Sequence, residues 1–146
     1  MLNYFIKSPE TPKEWDNYFL FRWEMLRKPL GMSKDSLQDD QEESSFHLIA
    51  LDDHDKVVGS GRVHFNSNAE AQIRYMAVSE DLKRRGIGSE IVKKLEEHAG
   101  KKGAKTVILN AREEAINFYL SLDYLEGSPY TSDTGIPHTT MKKILS

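Results

Sequence analysis

One passage constrains this chain more than any other: the apolar run AQIRYMAV leads through the basic, glycine-bearing DLKRRGIGSE into a helical apolar repeat. Ile87, Ile91, Val92, Leu95 and Ala99 fall on one helical face, and Lys101, Lys102 and Gly103 mark where that helix ends. A strand, a glycine-bearing loop and a helix start, in that order, make an anion site. Glycine lets the backbone approach a ligand, the first amides have no helical partner, and the helix dipole favours negative charge. Two phosphate loops fail on spacing. Nothing matches Gly-x4-Gly-Lys-Ser/Thr. The dinucleotide fingerprint needs a glycine where Ile91 stands and a strand directly before the loop, whereas Ser79 to Arg85 follow Val78.

Charge narrows the choice of anion. Lys83 to Lys105 holds eight Lys/Arg against three acids, so this segment is +5 and the remainder −8 within a net of −3. An acidic body with one basic patch suits a small polyanion better than a nucleic acid, and no nucleic-acid partner is expected. The absence of cysteine excludes disulfides, thiolate metal sites and a cysteine nucleophile. No His/Asp/Glu group has metal-site spacing, so no metal is expected. No apolar run nears the roughly 20 residues that cross a bilayer, so no membrane partner is expected. The start MLNYFIKSPE lacks the features of a secretory leader, and a cytoplasmic location is the expectation.

The rest of the chain reads as alternating elements in a single domain, 1–146. LNYFIK (Leu2 to Lys7) is a short strand. Thr11 caps a helix with Pro12 at its first position, and Trp15, Phe19, Trp23 and Leu26 are its expected core face. The acidic GMSKDSLQDDQEESS is a loop able to draw in a cationic amine. FHLIALD and VVGSGRVHF flank the turn DHDK, and NSNAE turns into AQIRYMAV, giving an antiparallel meander. AKTVILN is a buried strand, AREEAINFYLSL a short helix, and YLEGSPY and HTTMKKIL the last strands.

The run IRYMAVSEDLKRRGIGSEIVKKLEEHA resembles the acetyl-CoA-binding segment of the GNAT superfamily of N-acetyltransferases. The family's Arg/Gln-x-x-Gly-x-Gly/Ala loop falls on Lys83, Arg84, Arg85, Gly86, Ile87 and Gly88, with Lys83 departing from Arg/Gln. A later block, VILNAREEAINFYLSLDY, is similar to the family's strand ending in Asn, short helix and Phe-Tyr, with Asp123 where a glycine is usual. GIPH near the end also resembles some small members. The likeness covers the chain from Phe46 onward.

The resemblance implies an α/β, single-domain GNAT fold: a mixed, mostly antiparallel sheet, splayed at the acetyl-CoA site, with helices on both faces. It implies acetyl transfer from acetyl-CoA, as co-substrate, to an amine of a small molecule or peptide by direct attack in a ternary complex. A non-catalytic CoA-binding module of the same fold is the alternative. Backbone groups of Met76, Ala77 and Val78 would pair with the pantetheine arm, one amide facing the thioester oxygen where charge builds. The amides of Arg84 to Ser89 would hold the pyrophosphate with Lys83, Arg84 or Arg85 beside it. Asn110 and Asn117 would bind amide groups of the cofactor, although Asn110 also suits a helix cap. Tyr119 would donate to the departing sulfur, since a phenol titrating near pH ~10 is protonated at neutrality. The base is open among His64, His138, Glu42, Glu43 and a water relay. A last strand able to pair across a two-fold axis leaves a homodimer open.

Overall fold

The computed structural model describes residues 3–132 and 134–145, so Leu2 of the expected first strand lies outside the described residues. Seven strands form one sheet in the order β1 (Tyr4–Lys7), β2 (Phe46–Asp52), β3 (Val57–Phe65), β4 (Glu70–Val78), β5 (Thr106–Arg112), β7 (Pro137–Ile144), β6 (Leu125–Thr131). Only β4 and β5 run parallel. A parallel pair needs a long crossover, and α2 (Ile87–Lys101) supplies it. The apolar stripe foreseen for α2 is its buried face, packed on β-sheet residues such as Val63, Ile73, Val107 and Leu109.

The opposite face of the sheet carries α1 (Pro12–Leu26). Thr11 and Glu14 form a reciprocal capping box at its start, with Pro12 at the first helical position. Its most buried positions lie beside the expected stripe, of which Trp15, Phe19 and Leu26 pack against them. Tyr18, Phe21 and Arg22 point inward, whereas Trp15, Phe19, Trp23 and Leu26 are only half-buried. The reason is Arg22: periodicity assigns a charge to solvent, but here the loop after α1 brings carboxylates inward to meet it.

The other expected helix is also altered. Arg112 pairs with His138 of β7, so β5 runs to Arg112; a 3₁₀ turn at Glu113–Ala115 follows, and α3 is only Ile116–Leu120. Asp123 takes a positive φ of 73°, the left-handed turn that the family fills with glycine.

A bulge in β4 positions everything that follows. Ser60 pairs with Ala77 and Arg62 with Arg74, so Tyr75 and Met76 together oppose Gly61. Tyr75 sits at φ 58°, a conformation that costs a non-glycine residue about 1–2 kcal/mol. The buried Ser60 hydroxyl offsets this by donating to the Tyr75 carbonyl at 3.0 Å. The pairing of β4 with β5 stops at Gln72↔Ile108, and the two strands then part.

Gly61 is needed where α2 crosses the bulge. A Cβ there would lie 2.6 Å from Met76 Sδ and 2.8 Å from Ile91 Cγ2. Gly61→Ala is expected to lower stability by about 1–3 kcal/mol, the usual cost of overpacking. It should appear as a lower urea midpoint with an unchanged m-value, and an unchanged midpoint would contradict the assignment.

Candidate active site

The loop and the splay open into one cleft of about 1180 Å³. Met76, Ala77 and Val78 line it on β4, Lys83, Arg84, Gly86, Ile87, Gly88 and Ser89 at the loop, and Asn110, Asn117, Tyr119 and His138 on the far side. Arg85 and His64 are not among its lining residues. Drug-sized pockets run to roughly 1,000 Å³, so this one has room for a large ligand and a second small one.

The anion end is built by backbone geometry. Arg84 and Gly86 both have positive φ, 67° and 87°, which turns the chain sharply into α2. Gly86 is the N-cap and no side chain caps the helix, so its first amides are left for a ligand. Gly88 brings this turn against its neighbours: a Cβ there would lie 3.2 Å from Phe118 Cζ and 3.4 Å from Val78 Cγ2. The uncapped amides, the close backbone and the flanking Lys83 and Arg84 fit a pyrophosphate.

Tyr119, on α3, is buried edge-on against Phe118 and Tyr124, with ring centroids at 4.9 and 5.8 Å. Its hydroxyl has no hydrogen-bond partner among the described residues, and the residue lines the cleft. Burial pushes its pKa above the ordinary phenol value, so it is a proton holder at neutral pH. Asn110 caps no helix. Its Oδ1 accepts from Thr140 Oγ1 at 2.6 Å, which leaves its amide N–H groups to the cleft.

The four base candidates separate cleanly. In His138, Nδ1 lies 2.7 Å from the Ile136 carbonyl, which can only accept, so Nδ1 donates and in the neutral ring Nε2 is left with the lone pair. In His64, Nδ1 accepts from Arg62 at 3.0 Å and Nε2 donates to Asn66 at 3.1 Å. Both ring nitrogens are engaged, and burial together with the Arg62 charge pushes its pKa down. Glu42 and Glu43 line a separate pocket of about 490 Å³ with Trp15 and Phe19. Of these four, only His138 lines the cleft.

Nothing in the sequence disclosed the charge network under the cleft. Arg22 and Arg62 are fully buried. Arg22 forks onto Glu42 at 3.0 and 3.1 Å, and also donates to the Leu37 carbonyl and Tyr18. Arg62 forks onto Asp39 at 2.7 and 3.0 Å and reaches Glu42 at 2.8 Å. Arg74 takes the remaining approach to Asp39 at 2.8 Å. The Tyr75 ring lies among them, 3.7 Å from the Arg22 guanidinium, 4.7 Å from that of Arg74 and 4.9 Å from that of Arg62. The acidic loop is therefore a clasp closed on arginines, and its two inward carboxylates are not free to attract a cationic amine.

The acetyltransferase (GNAT) domain family matches residues 27–145. This chain belongs to the GNAT acetyltransferases. The uncharacterized N-acetyltransferase YjcF of Bacillus subtilis (strain 168) is 31% identical to this GNAT enzyme over 126 residues, 86% of this chain and 89% of that protein. A GNAT-family acetyltransferase from Staphylococcus aureus Mu50 superposes with a TM-score of 0.80 at 13% identity, covering 99% of this chain and 100% of its own. An aminoglycoside 6'-N-acetyltransferase complexed with coenzyme A superposes with a TM-score of 0.77 at 16% identity, covering 96% of each chain. As in these folds, the GNAT sheet here is mixed and mostly antiparallel, with helices on both faces.

Proposed function

We propose that this GNAT enzyme transfers the acetyl group of acetyl-CoA to an amine by direct attack with both substrates bound. The observation that carries the reading is the continuity of one cleft. It runs from the uncapped α2 amides, through the gap between β4 and β5, to Tyr119 and His138. Bound acetyl-CoA supplies an acyl group already activated as a thioester.

The chain's own groups divide the remaining work. The amides of α2's first turn, with Lys83 and Arg84, hold the pyrophosphate. The backbone of Met76 to Val78, released from β5 by the splay, offers hydrogen bonds along the gap, with one amide placed for charge on the acyl oxygen. Asn110 and Asn117 orient the arm. The buried Tyr119 hydroxyl donates toward sulfur, and His138 Nε2 accepts the proton that the amine must lose before attacking. No cysteine exists to carry the acyl group, which leaves direct attack as the simplest route.

Calorimetric titration of acetyl-CoA is expected to show binding well below millimolar concentration, and thiol release should follow when an acceptor is added. Failure to bind would sink the proposal. Binding without thiol release across a broad amine panel would favour a non-catalytic CoA-binding module.

A further inference from the structure

The cleft is lined by more positive charge than the anion site needs. Lys83 and Arg84 belong to the anion site already described. The lining residues also include Arg27, Arg74 and Arg112 against one carboxylate, Glu114. Arg27 donates to the Ser36 and Leu26 carbonyls and is nearly buried. Arg74 and Arg112 are the two whose charge the cleft can use.

Both stand on the α1 face of the parted strands. Gln72 and Ile108 form the last rung, and alternation then puts Arg74 on the same face as Asn110 and Arg112. Two contacts support this. Arg74 shares Asp39 with its cross-strand partner Arg62, and Asn110 is bonded to its partner Thr140. Arg112 has His138 as its β7 partner, so the guanidinium and the free imidazole nitrogen share that face.

The clasp cannot neutralise Arg74. Three guanidiniums, Arg22, Arg62 and Arg74, face two carboxylates, Asp39 and Glu42. Asp39 already accepts from Arg62 through both oxygens, and Arg74 is the member left 33% exposed. Arg112 makes no ion pair or hydrogen bond among the described residues. The surplus positive charge of the network therefore emerges at the wall of the cleft that Arg112, which has no partner among the described residues, also lines.

Resting on the acetyl-transfer reading, the geometry points to an acceptor amine that carries an oxyanion group, carboxylate or phosphate, held by Arg74 and Arg112 while its amine faces the gap between β4 and β5. The planar fork of a guanidinium matches either oxyanion. A polycationic amine would meet like charge at the same place.

Three amines on similar short frames, β-alanine, O-phosphoethanolamine and ethanolamine, and the longer polycation spermidine test this by thiol release. A charge-assisted contact of this kind should raise kcat/KM for an oxyanion-bearing amine over ethanolamine by roughly 10-fold or more. Arg112→Gln should shrink that ratio toward one. Which of the first two is preferred separates carboxylate from phosphate.

A second measurement does not need turnover. With the enzyme saturated by CoA, so that the α2 site is filled, acetate and inorganic phosphate are titrated while the arginine Nε–H resonances are followed. Shifts at Arg74 and Arg112 that weaken in Arg112→Gln are expected. If acetyl-CoA itself does not bind, the acetyl-transfer reading fails. If it binds but ethanolamine or spermidine is preferred, or neither anion shifts those resonances, only the oxyanion subsite is overturned.

Discussion

Glu42→Ala should cost this enzyme about 3–5 kcal/mol of stability, the range for removing one partner of a buried ion pair. Glu42 accepts from two guanidiniums that have no access to water. Without it, Arg22 keeps only Tyr18 and the Leu37 carbonyl, and Arg62 keeps Asp39 and His64 Nδ1. A midpoint drop of about 10 °C is the expected reading for a chain of this length. A drop of 1–2 °C would show that water reaches the network. Glu42→Gln, which keeps the shape and one acceptor oxygen, should lose less.

The same clasp makes stability pH-dependent in a definite sense. Burial works against ionisation of Asp39, yet the Arg62 hydrogen bond, the Gln41 amide and the charges of Arg62 and Arg74 outweigh it and hold the carboxyl well below its ordinary range. Glu42 is likewise depressed, with burial overcome chiefly by Arg22. Carboxyls depressed in the folded state bind fewer protons there than in the unfolded state. Their stabilisation is full above the ordinary carboxylate pKa near ~4 and is lost as pH falls below it. Denaturant melts from pH 7 to pH 3 should show the parent losing stability below about pH 4 more steeply than Glu42→Ala. Parallel curves would contradict the clasp.

Tyr119→Phe should lower the chemical rate by roughly 100-fold, the low end for a positioned acid. Acetyl-CoA affinity should hardly change, because a hydrogen bond to sulfur matters as charge builds there. The phenylalanine ring keeps the edge-on contacts with Phe118 and Tyr124, so the fold should persist. An acyl donor with a more acidic leaving thiol should suffer less from the change. Parent-rate turnover, under conditions where chemistry limits, would make Tyr119 a core aromatic.

The parts of this molecule that rest on local rules were readable in its sequence. The cap at Thr11, the apolar stripe of α2, the glycine turn at Gly86 and the meander each depend on neighbours within a few positions. Of the motif block, Met76 to Val78, Lys83, Arg84, Gly86 to Ser89 and Tyr119 line one cleft, and Arg85 does not. The charge network depends on none of these. Arg22, Asp39, Glu42, Arg62 and Arg74 are spread along the chain, and only the packing of the loop under the sheet brings them together. The same blind spot hid that Arg22 turns inward from α1 and that Asp39 and Glu42 of the acidic loop are already paired. Histidine was similarly opaque: what separates His138 from His64 is which atoms occupy their ring nitrogens.

The parting of β4 and β5 has one more consequence. Past Gln72 and Ile108 the two strands present facing backbone donors and acceptors with no strand between them. On the rim of a sheet such rows recruit foreign chains and seed aggregation. Here they line a cleft shared with the start of α2, with α3 and with the β6–β7 pair, wide enough for a slender arm bearing amides. On the proposed reading the co-substrate completes the sheet, acting as a strand that the chain itself does not encode, and whatever holds it also stabilises the fold.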